Sequence, residues 1–206
     1  MDHCCSNKTQ ELALLKQRQA TVLKIVLGIN LGMFLVEFGV AWFIQSTALL
    51  ADSLDMLGDA LVYAFSLYVL DKGPRWVATS AFLKGVLIVA FGLAVLGKAA
   101  SNFASQQLPD PEWMKLTGAL ALSANLSCLI LLSRHRSDDL NMRSTWICSR
   151  NDIIANLGVI AAAVLVGITG SKWPDLLIGL TIAILFLRSA VPILKESTRQ
   201  LRSQDS

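Results

Sequence analysis

Charge is scarce in this chain: Asp, Glu, Lys and Arg make up 16% of 206 residues, against about 25% in an ordinary soluble domain. With 54% apolar residues and a mean hydropathy of +0.55, the deficit excludes a soluble globular domain and a disordered chain. Paired cysteine spacing is missing too. Cys4, Cys5, Cys128 and Cys148 follow no framework pattern, which excludes a disulfide scaffold and a zinc ribbon. A net charge of +3 gives no footprint for nucleic acid. No short apolar core with a small-residue cleavage site opens the chain, so positions 1–18 read as a polar segment rather than a signal peptide.

What the chain has in abundance is long apolar runs. A bilayer core about 30 Å thick takes roughly 20 apolar residues per helix. Six stretches meet that need, at about 21–44, 47–70, 76–96, 114–133, 145–169 and 174–194. Between the second and third lies the charged turn Asp71-Lys72-Gly73-Pro74-Arg75, and 98–113 reads as the longest loop. The expected fold is therefore an all-α polytopic membrane protein with six transmembrane helices. It divides into an N-terminal segment at 1–20, a transport domain at 21–194 and a short tail at 195–206. Basic residues fix the expected orientation. Twelve Lys and Arg flank one side of the six spans, against Lys98, Lys115 and Lys172 on the other. The positive-inside rule then places both termini in the cytoplasm.

Acids inside spans carry the functional signal. An Asp near the bilayer centre costs about 2.5–3.5 kcal/mol on insertion scales, so such residues mark a pathway or a site. The second span holds Asp52, Asp55 and Asp59, the fifth holds Asp152, and the first holds Glu37. Asp55 and Asp59 stand four residues apart, on one helix face, with Cβ atoms about 5–6 Å apart. Cys148 and Asp152 repeat that spacing on the fifth span. Two such helices face to face would offer three carboxylates and a thiolate, a tetrahedral set for a divalent cation. The sulfur favours Zn²⁺ or Cd²⁺ over Mg²⁺ or Ca²⁺.

Each of these residues also has a plainer reading. Asp55 and Asp59 could pair structurally between helices, Asp152 could take a salt bridge from Arg150, and Cys148 could be a small buried hydrophobe. Asp52 either lines the approach or lies near the interface. Glu37 and Asn30 read as helix contacts or cavity lining, and Lys84 and Arg188 as snorkelling side chains or partners of acids. Gly28-Ile29-Asn30-Leu31-Gly32 fits a close-packing pattern. His3-Cys4-Cys5 is either a weak metal-capture tripeptide or an end with no role.

With those residues assembled, the chain resembles the cation diffusion facilitator family of divalent-metal/proton antiporters. The matching stretch runs from Asn30 and Glu37 through Ser46 and Ala48-Leu49-Leu50-Ala51-Asp52-Ser53-Leu54-Asp55-Met56-Leu57-Gly58-Asp59, and continues at Arg75 and at Asp152, Asn156, Gly158 and Val159. The resemblance implies a metal site between the second and fifth spans, carried by position onto Asp55, Asp59, Cys148 and Asp152. It departs at Cys148, where His or Asp is usual, and in the missing cytosolic domain that usually follows the sixth span. What it implies is secondary active efflux of Zn²⁺ or Cd²⁺ in exchange for protons. The metal is cargo with no prosthetic group, and the transporter is a homodimer formed through transmembrane helices, in the cell (inner) membrane. The rival reading is an enzyme, a membrane prenyltransferase holding Mg²⁺-diphosphate on Asp52, Asp55 and Asp59. It lacks a second aspartate-rich motif and a basic cluster for the diphosphate.

Overall fold

A computed structural model describes residues 2–69, 74–105, 107–134 and 140–202. Side chains are described from Ala20 onward, except at positions 62, 66, 69, 74, 75, 77, 80, 140–148 and 151. Six helices follow one another: α1 (Asp2–Ile44), α2 (Thr47–Val69), α3 (Pro74–Ala104), α4 (Pro111–Ser133), α5 (Leu140–Thr169) and α6 (Trp173–Arg202). No strand occurs among the described residues.

Local chemistry sets several of the ends. Gln45 takes a left-handed φ of 59° to turn α1 into α2. Asp110 caps α4 by accepting from the Glu112 and Trp113 N–H groups at 2.9 and 3.2 Å, with Pro111 in the first turn, where a missing N–H costs nothing. Gly170, at φ 60°, closes α5 by donating its N–H to the Val166 carbonyl at 2.9 Å.

Three boundaries differ from the sequence expectation. α3 runs on to Ala104 through what reads as loop, because Lys98 and Asn102 turn inward onto the α1–α2 connection. α6 continues past 194 to Arg202, where Ser197 and Thr198 hydroxyls bond back to helix carbonyls and Glu196 pairs with Arg199. α1 begins at Asp2, so the N-terminal segment continues the helix of the first span.

α1, α2, α5 and α4 pack around a ring, while α3 and α6 pair with each other and lean on α2. α2 touches α1, α3, α5 and α6, which places the aspartate-bearing helix inside the bundle. Five helices are long and apolar enough among the described residues to cross a bilayer, and the three aspartates fall on the remaining one, α2. The outer surface is apolar as lipid requires, with Leu35, Phe43, Leu116, Leu165 and Ile168 all exposed. Trp42, Phe103, Trp113 and Trp173 are exposed at one end of the bundle, and Tyr68 and Trp76 at the other, in the manner of interfacial aromatic belts. The chain is an integral membrane protein. Small residues make its core dense: Ala48, Ala51, Ala162, Ala163 and Ala183 are fully buried among Leu49, Val95, Met114 and Val159.

Candidate metal-transport site

Below that core, α2, α3, α5 and α6 enclose a cavity of about 690 Å³. Asp55 and Asp59 line it from α2, Asp152 from α5 and Lys84 from α3, with Ile178, Ile182, Leu185 and Phe186 of α6 making an apolar wall. The helical register explains the grouping. Along α2 the residues up to Leu54 pack in the core, and the next turns present Asp55, Gly58 and Asp59 to the open space. On α5, Val159 and Ala162 pack in the core while Asp152, Ala155 and Gly158 face the cavity. Asp152 lies within hydrogen-bonding reach of both Asp55 and Asp59. The Tyr63 hydroxyl, one turn beyond Asp59, donates to Asp59 Oδ2 at 3.0 Å and fixes that carboxylate.

Three of the four expected ligands therefore meet at one cavity. The fourth, Cys148, stands one turn before Asp152 on α5, and its side chain lies outside the described residues, as do those of His3, Cys4 and Cys5. Among the described residues no group of three His, Cys, Asp or Glu side chains forms a finished metal cage. Chemically, the arrangement is an anionic pocket roofed by apolar packing. It attracts cations and repels anions, and its low-dielectric walls strengthen both effects.

Asp52 does not line the cavity. It is 1% exposed and accepts a hydrogen bond from Asn156 Nδ2 at 2.6 Å, while Asn125 Nδ2 donates to Asn156 Oδ1 at 2.9 Å. Glu37 of α1 reaches the same Asp52 carboxyl. A polar seam thus crosses α1, α2, α5 and α4 beside the cavity. Asn30 donates to the Val26 carbonyl at 2.9 Å and lies against Cys128, which is fully buried in helix packing.

A second polar cluster, absent from the sequence expectation, lies at the far end of α2. Asp175, 1% exposed on the first turn of α6, accepts from the Ser46 hydroxyl at 2.6 Å, the Thr47 N–H at 2.7 Å and the Ala48 N–H at 3.1 Å. A carboxylate thereby sits on the positive N-terminus of a neighbouring helix. Asn102 Nδ2 donates to the Gln45 carbonyl at 2.6 Å and to Thr47 Oγ1 at 2.9 Å. Lys98 bonds the Gln45 side chain and lies 5.6 Å over the Trp42 ring. Lys172 donates to the carbonyls of Asn102, Phe103 and Ser105 at the end of α3. Gly179 makes this closure possible, since a Cβ there would stand 2.8 Å from the Thr47 carbonyl carbon. An Asp beside Pro at a helix start was the available sequence signal.

The model of the cation efflux transmembrane domain matches residues 23–202. The chain is 26% identical over 215 residues to zinc transporter ZitB of Escherichia coli K12, covering 98% of this chain and 68% of that protein. It is 28% identical over 192 residues to the metal cation efflux system protein CzcD of Cupriavidus metallidurans, covering 87% of this chain and 60% of that one. Against the cadmium, cobalt and zinc/H(+)-K(+) antiporter of Bacillus subtilis it is 25% identical over 180 residues, 81% of this chain and 58% of that one. The chain spans about three fifths to two thirds of the length of these relatives.

Proposed function

The chain belongs to the cation efflux family, and from that premise we propose that it exports divalent transition-metal cations, Zn²⁺ or Cd²⁺, in exchange for protons. The observation that carries this is the meeting of Asp55, Asp59 and Asp152 from two helices at one cavity inside a membrane-spanning bundle. Cys148 is proposed as the fourth ligand, placed by its spacing from Asp152. The relatives' names support the cargo: zinc for ZitB, and cadmium, cobalt and zinc with H⁺ for the Bacillus antiporter. Family membership, in a family of transporters, also sets aside the prenyltransferase reading.

The mechanism follows from charge and packing. A dehydrated divalent ion needs deprotonated oxygen or sulfur ligands, so its arrival displaces protons and its departure readmits them. Alternating exposure of the cavity to the two sides of the membrane then couples metal flux to proton flux. The polar closure at the Ser46–Asp175 end and the apolar core beneath it seal one route to the cavity. With both termini cytoplasmic, that sealed end faces outward and the described arrangement belongs to the inward-facing side of the cycle. The proposal places the protein in the cell (inner) membrane as a homodimer. Gly28 and Gly32, where an added Cβ would meet nothing within 4 Å among the described residues, offer a close-packing surface for the partner.

Proteoliposomes carrying the purified protein and an imposed pH gradient test the reading. Zn²⁺ and Cd²⁺ should move against the proton gradient, and Asp55→Ala should abolish the flux. Metal movement indifferent to the gradient removes the antiport mechanism, and full flux through Asp55→Ala removes the site.

A further inference from the structure

Among the described residues lining the cavity, Lys84 is the single cation facing three acids. A cargo site for cations gains nothing from a fixed ammonium unless that ammonium has a task. Its placement is built in. α3 presses against α6 beside Lys84, where a Cβ on the adjacent Gly85 would stand 2.7 Å from Leu194 Cδ2. One heptad further along α3, Gly92 approaches Leu187 in the same way. This close seating holds the rotation of α3 and turns Lys84 toward the cavity rather than toward lipid. There it lies near enough to Asp55 and Asp59 to attract both carboxylates directly. Its charge acts on more than one acid of the site at once.

We propose that Lys84 is a specificity-determining residue of the transport cavity, a tethered cation that brings the site's negative charge closer to that of one divalent ion and weakens the grip on that ion so that it can leave. The inference rests on the reading of the cavity as the cargo site. With the metal bound, the ionised Asp55, Asp59 and Asp152 and the Cys148 thiolate carry four negative charges, which the ammonium lowers to three before the divalent ion is counted. With Lys84 in place a divalent ion leaves one negative charge unbalanced in this low-dielectric space; without it, two remain. A lone monovalent cation leaves more negative charge unbalanced than a divalent one does. Repulsion between the ammonium and a bound ion raises the dissociation rate, and a transporter requires release as much as capture.

The test uses full-length protein in detergent, titrated calorimetrically with Zn²⁺ and with Cd²⁺ at fixed salt. Lys84→Met keeps the stem and removes the charge; Lys84→Gln is the second uncharged variant, Lys84→Arg keeps the charge, and Asp55→Asn is the site control. Both uncharged variants are expected to bind the divalent ion roughly tenfold or more tightly than the wild type. They should also release it more slowly in a stopped-flow chelator chase. Lys84→Arg should stay within about threefold of wild type on the same electrostatic grounds. If the uncharged variants melt like the wild type and bind with unchanged or weaker affinity, Lys84 has no electrostatic role at the site and the proposal is overturned. That failure is distinct from failure of the site itself, which appears as normal binding by Asp55→Asn or as no binding by the wild type.

Discussion

Removing the Asp175 carboxylate tests whether the outer end of α2 is held as the structure indicates. Asp175→Ala deletes the acceptor for the Thr47 and Ala48 N–H groups and for the Ser46 hydroxyl. Ser46 retains a bond, because its Oγ accepts from the Leu49 N–H at 3.1 Å. The two backbone donors have no such alternative. Both residues are fully buried, and each unpaired buried N–H costs about 1–3 kcal/mol. Loss of a negative charge at the N-terminus of α2 adds to this. The sum is about 4 kcal/mol, which for a chain of this size lowers the melting temperature by about 8–16 °C. Asp175→Asn should fall between the two, since its amide oxygen can still accept from one N–H. Thermal unfolding in detergent, followed by tryptophan fluorescence, measures the shift. Trp42 and Trp173 both stand close to the perturbed turn, so local loosening and global melting should register together. An Asp175→Ala protein that melts within about 2 °C of wild type would refute the reasoning, because water must then be satisfying donors that the packing shows as sealed.

Other substitutions separate the site from its support. Asn156→Leu removes the donor to Asp52 and the acceptor for Asn125 at once, and should cost about 2–4 kcal/mol in the same melt while leaving the cavity acids in place; an unchanged melt would show that the polar seam is not structural. Cys148→Ser exchanges a soft ligand for a hard one and should lower the affinity for Cd²⁺ relative to Zn²⁺ by about tenfold, read by competition titration. An unchanged ratio would remove Cys148 from the ligand set.

The sequence showed clearly which helices matter and left unread how they are joined. Acids inside apolar runs are expensive enough to stand out on composition alone, so Asp55, Asp59 and Asp152 were visible before any packing was known. The described residues bring those three acids to one cavity. Asp52 and Glu37 stood out for the same reason, but their partners lie on other helices, and nothing local in the sequence connects Asp52 to Asn156 over an interval of 104 residues. The end of α3 differs from the sequence expectation for a related cause. Lys98 and Asn102 are polar, and polarity near the end of an apolar run ordinarily signals a loop. Here those side chains are consumed by the α1–α2 turn, so the helix continues for two more turns beneath them. Asp175 is the sharpest case, since an acid in the first turn of a helix is so ordinary that it carries no message about a second helix. Only tertiary approach, permitted by the missing side chain at Gly179, converts it into the cap of α2. Local pattern therefore identifies groups that are costly where they stand, whereas groups made inexpensive by a distant partner stay hidden until that partner is in view.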